Sequence, residues 1–94
     1  MSQVLASQRW EGTGRIIRGA GKGATVPALQ IETEADRVSF LSGPDAGEQV
    51  QLSEAETAET DMGTWQFSTA GNALEVIFYQ DDPYRVIHYR LARD

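Results

Sequence analysis

The sequence predicts an all-β domain, built as a single antiparallel meander of about seven strands that curls into a small barrel or a two-layered sandwich. Two observations carry this prediction. Apolar and polar residues alternate in short runs from Arg9 to Asp94, which is the period of a strand with one buried face. Clusters of Gly, Pro, Asp and Asn separate these runs and mark the turns between the strands.

The first strand is predicted over residues 9–17, and it is expected to coil strongly. Gly12 and Gly14 share its inward face with Trp10, so a large ring packs beside bare backbone. Such a glycine-rich face is a common way of curling a sheet toward a barrel. Three further strands are predicted over residues 28–33, 37–42 and 48–53.

The acidic stretch at residues 54–61 leaves two alternatives open. Ser53 and Glu56 have the spacing of a capping box, which allows a single helical turn. An acidic loop fits the composition equally well. After this stretch, the C-terminal strands are predicted over residues 63–69, 72–80 and 84–92.

The predicted turn lengths set a register for the hairpins. They pair Phe40 with Val50, Phe67 with Leu74, Tyr79 with Tyr84, and Glu75 with His88. A shift of one residue would exchange the buried and exposed faces of a strand, so this register is a testable prediction. The predicted core consists of Trp10, Leu29, Ile31, Val38, Phe40, Val50, Leu52, Trp65, Phe67, Leu74, Val76, Phe78, Ile87 and Leu91.

Length and composition indicate one small domain over residues 9–94, preceded by a flexible polar tail at residues 1–8. The chain has no cysteine, which excludes disulfides and cysteine-ligated metals. The N-terminal residues lack the charged and apolar regions of a signal peptide, and no apolar run approaches the ~20 residues of a membrane span. We therefore expect a cytoplasmic protein that does not engage membranes.

The charge of the chain is negative and unevenly distributed. A net charge of −6 argues against nucleic acid as a partner, because phosphates repel an acidic surface. Residues 38–84 contain nine acids and no Lys or Arg, whereas residues 1–30 contain four cations and one acid. Segregated charges orient docking between proteins, so a protein partner or self-association is expected.

Two motifs suggest chemistry but are incomplete. The Gly-rich segment around Lys22 lacks the first Gly and the final Ser or Thr of a phosphate-binding loop, and no helix is predicted to follow it. His88 is the single histidine, and its predicted partner Glu75 makes a surface pair. A catalytic or metal site needs a nucleophile or further ligands, and the sequence supplies neither at a recognisable spacing. We expect no enzyme activity, no metal and no cofactor.

The segment R-W-E-G-T-G-R-I at residues 9–16 resembles the first strand of calycin-type barrels, in which a Trp near the N-terminus is followed by glycines. The resemblance implies a barrel in which a basic residue of the final strand, here Arg90 or Arg93, packs against the Trp. It also implies an alternative function, the binding of a small apolar or anionic ligand. The candidate ligand-binding residues are Trp10, Arg15, Arg18, Lys22 and Arg90.

The face of the last hairpin opposite the core provides the leading functional hypothesis. The alternation places apolar and aromatic side chains together there, and such a patch on a small domain often marks an interface. The predicted interface residues are Ile77, Tyr79, Tyr84, Val86 and His88. The sequence therefore favours a non-enzymatic interaction module or accessory subunit; a second core layer is the structural alternative.

Overall fold

The computed structural model describes residues 5–53 and 55–93, and these residues contain no helix. The strands are β1 (Leu5–Gly19), β2 (Thr25–Ala35), β3 (Arg37–Phe40), β4 (Gln49–Gln51), β5 (Thr57–Thr60), β6 (Gly63–Ala70), β7 (Ala73–Gln80) and β8 (Arg85–Arg93). The all-β antiparallel meander predicted from the sequence is confirmed, with eight strands in place of about seven.

The eight strands form one sheet in the order β4-β3-β2-β1-β8-β7-β6-β5, which curls into a nearly closed barrel. The long strand β1 lies at the centre of this order because it pairs with both β2 and β8. The β1–β8 ladder runs from Trp10↔Arg93 to Gly19↔Arg85. The barrel is consequently continuous where the N- and C-terminal strands meet, and its seam lies between β4 and β5.

The additional strand β5 replaces the helical turn or loop considered for residues 54–61. Thr57 to Thr60 pair with β6, and Ala58 is buried while Glu59 is exposed, as strand alternation requires. The Ser53 hydroxyl accepts the backbone N–H groups of Ala55 and Thr57, so it closes a turn into β5 and does not cap a helix. Glu54 lies outside the described residues.

The N-terminal strand also begins earlier than expected. β1 starts at Leu5 and therefore includes residues 5–8, which were assigned to the flexible tail; residues 1–4 lie outside the described residues. Ser7 on this segment lies near β2, with its hydroxyl 3.5 Å from a Glu34 carboxylate oxygen. The long β1 can extend this far because β2 continues beside it to Ala35.

The predicted hairpin registers are wrong by two residues. Phe67 pairs with Val76 and not Leu74, and Tyr79 pairs with Val86 and not Tyr84. In the hairpin of β3 and β4, Val50 pairs with Val38 and not Phe40. Because each displacement is an even number, every side chain keeps its predicted face.

The predicted core is confirmed by burial. Thirteen of its fourteen members are buried, and Val50 is partly buried against them. Trp65 lies at the centre, fully buried, with its ring centroid 4.0 Å from that of Phe78 and 4.6 Å from that of Phe40. Tyr89 stacks on the same indole at 6.2 Å. Stacked and tilted aromatic rings thus fill the barrel with its own side chains.

The loop between β3 and β4, residues 41–48, closes the seam through the buried carboxylate of Asp45. Its Oδ2 accepts the Trp65 indole N–H at 2.7 Å and the Thr60 hydroxyl at 2.7 Å. A buried carboxylate is tolerated only when donors satisfy it, and these two donors come from β5 and β6. Asp45 therefore links the β3–β4 loop to strands on the other side of the seam.

Candidate functional site

The turns at one end of the barrel lie close together. The turn before β8 contacts the turn after β1, since the Ala20 N–H donates to the Tyr84 carbonyl at 3.0 Å. The turn between β5 and β6 joins them, since the Asp81 N–H donates to the Met62 carbonyl at 3.3 Å. The β3–β4 loop emerges at the same end, which we call the loop end. Two candidate sites lie here, one on the outer surface and one inside.

The outer site contains the residues predicted as an interface. Strand pairing brings Ile77, Tyr79, Val86 and His88 together, whereas Tyr84, predicted to begin the last strand, lies in the turn before β8. Tyr79 on β7 is the Cα partner of Val86 on β8, and Ile77 is the partner of His88. Tyr79 is 40% exposed and Tyr84 is 54% exposed, while Ile77 is half-buried. We call Ile17, Met62, Ile77, Tyr79, Tyr84 and Val86 the outer patch.

Val86 departs from the expected exposure because it is only 5% exposed. Its Cα partners are Arg18 on β1 and Tyr79 on β7, both with much longer side chains. Val86 consequently forms the floor of the outer patch. A bulge in β1 between Ile16 and Arg18 leaves Ile17 46% exposed beside it, an apolar residue that the sequence analysis did not assign to this surface.

His88 and Glu75 make the predicted contact, although they are diagonal neighbours and not Cα partners. His88 Nε2 lies 2.8 Å from a Glu75 oxygen, and Arg90 lies 3.9 Å from the other oxygen. All three groups lie on the outside of the barrel and are partly exposed. Among the described residues, no group of three or more His, Cys, Asp or Glu side chains is arranged to hold a metal ion.

The residues proposed for ligand binding do not converge on one site. Trp10 is buried, and its indole N–H donates to the Thr33 hydroxyl at 3.0 Å. The side chains of Arg15, Arg18, Lys22 and Arg90 are exposed. The calycin-type packing of a basic residue on the Trp is present, however: the Arg93 guanidinium carbon lies 5.8 Å from the centroid of the Trp10 ring. Trp10 thus closes the end of the barrel opposite the loop end.

The inner site is an apolar pocket of about 220 Å³ at the loop end, which we call the loop-end pocket. Its walls are Val26, Pro27, Gly43, Pro44, Arg85, Ile87 and Tyr89. Gly14 makes room for two of these wall residues, because a Cβ there would lie 2.6 Å from Tyr89 Cδ1 and 3.0 Å from a Val26 methyl group. Burial raises the pKa of the Tyr89 hydroxyl, an effect partly offset by the nearby Arg85 charge.

Arg85 and Gln80 were not predicted as site residues, although the sequence contains a signal for them. Both occupy the same alternation phase as core residues of their strands, Ile87 and Phe78, and so point inward. Gln80 is 5% exposed, and its Oε1 accepts the Arg85 Nε–H at 2.8 Å. The inner wall of the loop end therefore carries a fixed polar layer above the aromatic core.

A larger groove of about 460 Å³ crosses the outer surface between β1 and β4, but its walls are polar. Arg9 and Glu32 form an ion pair of 2.9 Å there, with both side chains about half exposed. Charged, solvated walls of this kind give a ligand little apolar surface to bury. The groove is therefore a weaker candidate than the loop-end pocket.

The chain matches no protein-family model, no curated protein and no solved structure. Among the described residues, no helix has the length and the apolar character needed to cross a membrane.

Proposed function

We propose that this chain is a non-enzymatic interaction module that associates with a second copy of itself through the outer patch. The observation that carries the proposal is the clustering of exposed apolar side chains. Of the five large hydrophobic residues found to be exposed, four lie on β1, on β7 or in the turns that precede β6 and β8: Ile17, Met62, Tyr79 and Tyr84. Exposed apolar surface concentrated on one side of a small domain is typical of an interface.

The second copy is favoured by the charges at the two borders of the outer patch. Arg18 lies at the β1 border, where it is the Cα partner of Val86. Asp81 lies at the other border, hydrogen-bonded through its backbone to Met62. A two-fold axis through the tyrosines would bring the cationic border of one copy against the acidic border of the other. A patch that is complementary to itself in this way suits an isologous dimer.

The non-enzymatic part of the proposal is supported by the position of His88. Its imidazole is held by Glu75 at 2.8 Å on the outside of the barrel. The loop-end pocket is lined by the inward-facing Ile87 and Tyr89, which flank His88 on β8 but point the other way. The one histidine of the chain is thus separated by the sheet from the loop-end pocket.

The test is the oligomeric state over a series of concentrations, measured by sedimentation equilibrium and native mass spectrometry. We expect a monomer–dimer equilibrium that Tyr79→Asp shifts to monomer, because a carboxylate would be desolvated in the interface. The matched control is Leu41→Asp, which changes an exposed apolar residue outside the outer patch and leaves the dimer intact.

A charge exchange tests the geometry of the dimer. Arg18→Glu should weaken association, and combining it with Asp81→Arg should restore the wild-type equilibrium, because the two borders face each other across the two-fold axis. A protein that stays monomeric up to about 1 mM, where the dissociation free energy is about 4 kcal/mol, would refute self-association. Equal loss of the dimer in the Leu41→Asp control would show that the outer patch is not the interface.

A further inference from the structure

The loop-end pocket contains a cation without an acidic partner. Arg85 is half-buried and lines the pocket, and its Nε–H is directed to Gln80 at 2.8 Å. Among the described residues, no carboxylate lies within 4.0 Å of its guanidinium group, and its remaining N–H groups make no hydrogen bond to them. Arg85 differs from Arg15, Arg18 and Lys22, which also lack a carboxylate partner within the described chain, because they are exposed whereas Arg85 is half-buried on a pocket wall. A guanidinium group in this position has N–H donors available for an anionic ligand.

The same pocket contains a hydroxyl without a partner. Tyr89 is 2% exposed, yet its hydroxyl forms no hydrogen bond with the described residues. No fully enclosed side-chain oxygen or nitrogen in the described chain lacks a partner, so the Tyr89 hydroxyl must reach the pocket space. A phenol is both donor and acceptor, and its donor is therefore available to a molecule in the pocket.

We propose that the loop-end pocket binds a small aromatic monocarboxylate. The carboxylate would accept hydrogen bonds from the Arg85 guanidinium group and the Tyr89 hydroxyl. The ring would pack between Pro27, Pro44 and Ile87, which supply apolar surface on the remaining walls. A mostly apolar pocket with a few convergent polar groups is the usual form of a small-molecule site.

The size of the pocket sets the size of the ligand. An apolar cavity of ~150 Å³ accepts a benzene molecule. The loop-end pocket, at about 220 Å³, holds one ring together with a carboxylate but not a long acyl chain. The fixed position of Arg85 also matters, because a guanidinium group already held by Gln80 loses less entropy when it binds a carboxylate in a two-point contact.

The experiment titrates the full chain, labelled with nitrogen-15, with benzoate and follows the Arg85 Nε–H and the backbone amides of Gly43 and Ile87 by NMR. We expect saturable shifts at these groups with a dissociation constant on the order of 1 mM or below. Benzamide, which has the same shape without the charge, should bind at least about tenfold more weakly. Inorganic phosphate, which is charged but has no ring, should also bind weakly.

Two variants and a control assign the contacts. Arg85→Gln should weaken benzoate binding at least about tenfold, because a charge-assisted hydrogen bond is lost. Tyr89→Phe keeps the ring on Trp65 and removes only the hydroxyl, so it should weaken binding about threefold to tenfold. Arg15→Gln removes an exposed cation from the outer face and should leave the affinity unchanged.

Several results would overturn the proposal. They are the absence of saturable shifts, shifts that lie outside the loop-end pocket, and benzamide or phosphate binding as tightly as benzoate. Equal losses in Arg85→Gln and Arg15→Gln would show non-specific attraction to positive charge. If Arg85→Gln fails to fold, the proposal is still tested by the benzoate affinity of Tyr89→Phe and by the affinity of the wild type for benzamide. Because the loop-end pocket shares no residue with the outer patch, failure here leaves the self-association proposal standing.

Discussion

The two junctions that complete the barrel are built differently. Where β1 meets β8, a backbone ladder extends from Trp10↔Arg93 to Gly19↔Arg85. Where β4 approaches β5, the seam depends on a few contacts. The Asp45 carboxylate holds it at the loop end. At the opposite end, the Ser53 N–H donates to the Thr57 carbonyl at a distance of 2.9 Å. Both junctions cover the same aromatic core. A sheet can therefore be closed by many equivalent backbone bonds or by a few specific groups.

This difference determines how the stability of each junction responds to amino-acid substitutions. A ladder distributes its energy over many hydrogen bonds, and single side chains matter mainly where the strands approach most closely. A seam held by a few contacts concentrates its energy in them, and removing the Asp45 carboxylate would leave the Trp65 indole N–H unsatisfied in a low-dielectric interior. We expect the seam to open first in local unfolding.

The largest effect is expected from Asp45→Ala, which removes the acceptor of the Trp65 indole and the Thr60 hydroxyl. We expect the free energy of unfolding to fall by about 3 kcal/mol, since a buried N–H loses its partner and a charge-assisted bond is lost. Urea denaturation gives the loss. Hydrogen exchange should accelerate in β4, β5 and residues 41–48 while β1 and β8 remain protected.

Asp45→Asn is the matched control, because its amide oxygen can still accept both hydrogen bonds. The free energy of unfolding should fall by about 1 kcal/mol in this variant, which is the difference between a charged and a neutral hydrogen-bond acceptor. If Asn and Ala at this position were equally destabilising, or if exchange accelerated across the whole sheet, the seam would not be an independent opening unit.

A smaller effect is expected at the other junction from Gly12→Ala. A Cβ at Gly12 would overlap the carbonyl oxygen of Arg90 and lie 2.9 Å from the Leu91 Cα, so β1 and β8 must separate locally. Overpacking of this kind costs about 2 kcal/mol. Differential scanning calorimetry measures it.

Gly23→Ala provides the reference for Gly12→Ala. Gly23 is exposed, and apart from its chain neighbours no atom lies within 4 Å of the position that a Cβ would occupy. Its φ of +94° is unfavourable for an L residue, so the loss of stability in Gly23→Ala measures the cost of the backbone conformation alone. Exchange that accelerated at the β4–β5 seam and not at β1 and β8 in Gly12→Ala would contradict the proposed independence of the two junctions.

The smallest effect concerns Tyr89, which lies on β8 against Gly14. Burial raises its pKa above the ordinary 10.0, so the unfolded chain releases this proton at a lower pH than the folded chain does. The free energy of unfolding should be unaffected by this group below pH 10 and should decrease as the pH rises above 10 toward the folded pKa. Urea denaturation from about pH 8 to about pH 11 measures the decrease.

Tyr89→Phe isolates this contribution, because it keeps the stacked ring and removes the ionisable hydroxyl. The decrease in stability above pH 10 should be shallower in the variant than in the wild type. Identical pH profiles for the two proteins would mean that the Tyr89 hydroxyl is not desolvated in the folded state.

Much of the fold was predictable from local alternation. The buried faces of β6, β7 and β8 were assigned correctly because hydrophobic period is a property of neighbouring residues. The register of the strands was not predicted correctly, because it depends on the residues at which each turn is placed. The turn between β6 and β7 uses Gly71 and Asn72, with Gly71 at a φ of +64°, and this displaces the predicted pairs by two residues.

The candidate sites were predictable to different degrees. Four members of the outer patch lie on the β7–β8 hairpin, so sequence alternation placed Ile77 and Tyr79 together correctly, whereas Ile17 and Met62 come from other elements. The loop-end pocket combines β2, the β3–β4 loop and β8, which are distant in sequence. Nothing local to Pro44 or Arg85 indicates that they face each other across a pocket.

The sequence by itself determined the all-β class and the direction in which most side chains of the main strands point, because these follow from composition and alternation. Only the tertiary structure decided the fifth strand, the burial of Val86 and the role of Asp45. The fifth strand depends on its pairing with β6, while the burial of Val86 and the role of Asp45 depend on closure of the sheet, which brings residues into contact from opposite halves of the chain. A buried carboxylate such as that of Asp45 is tolerated only when its donors arrive from such distant strands, and a linear pattern does not specify which ones.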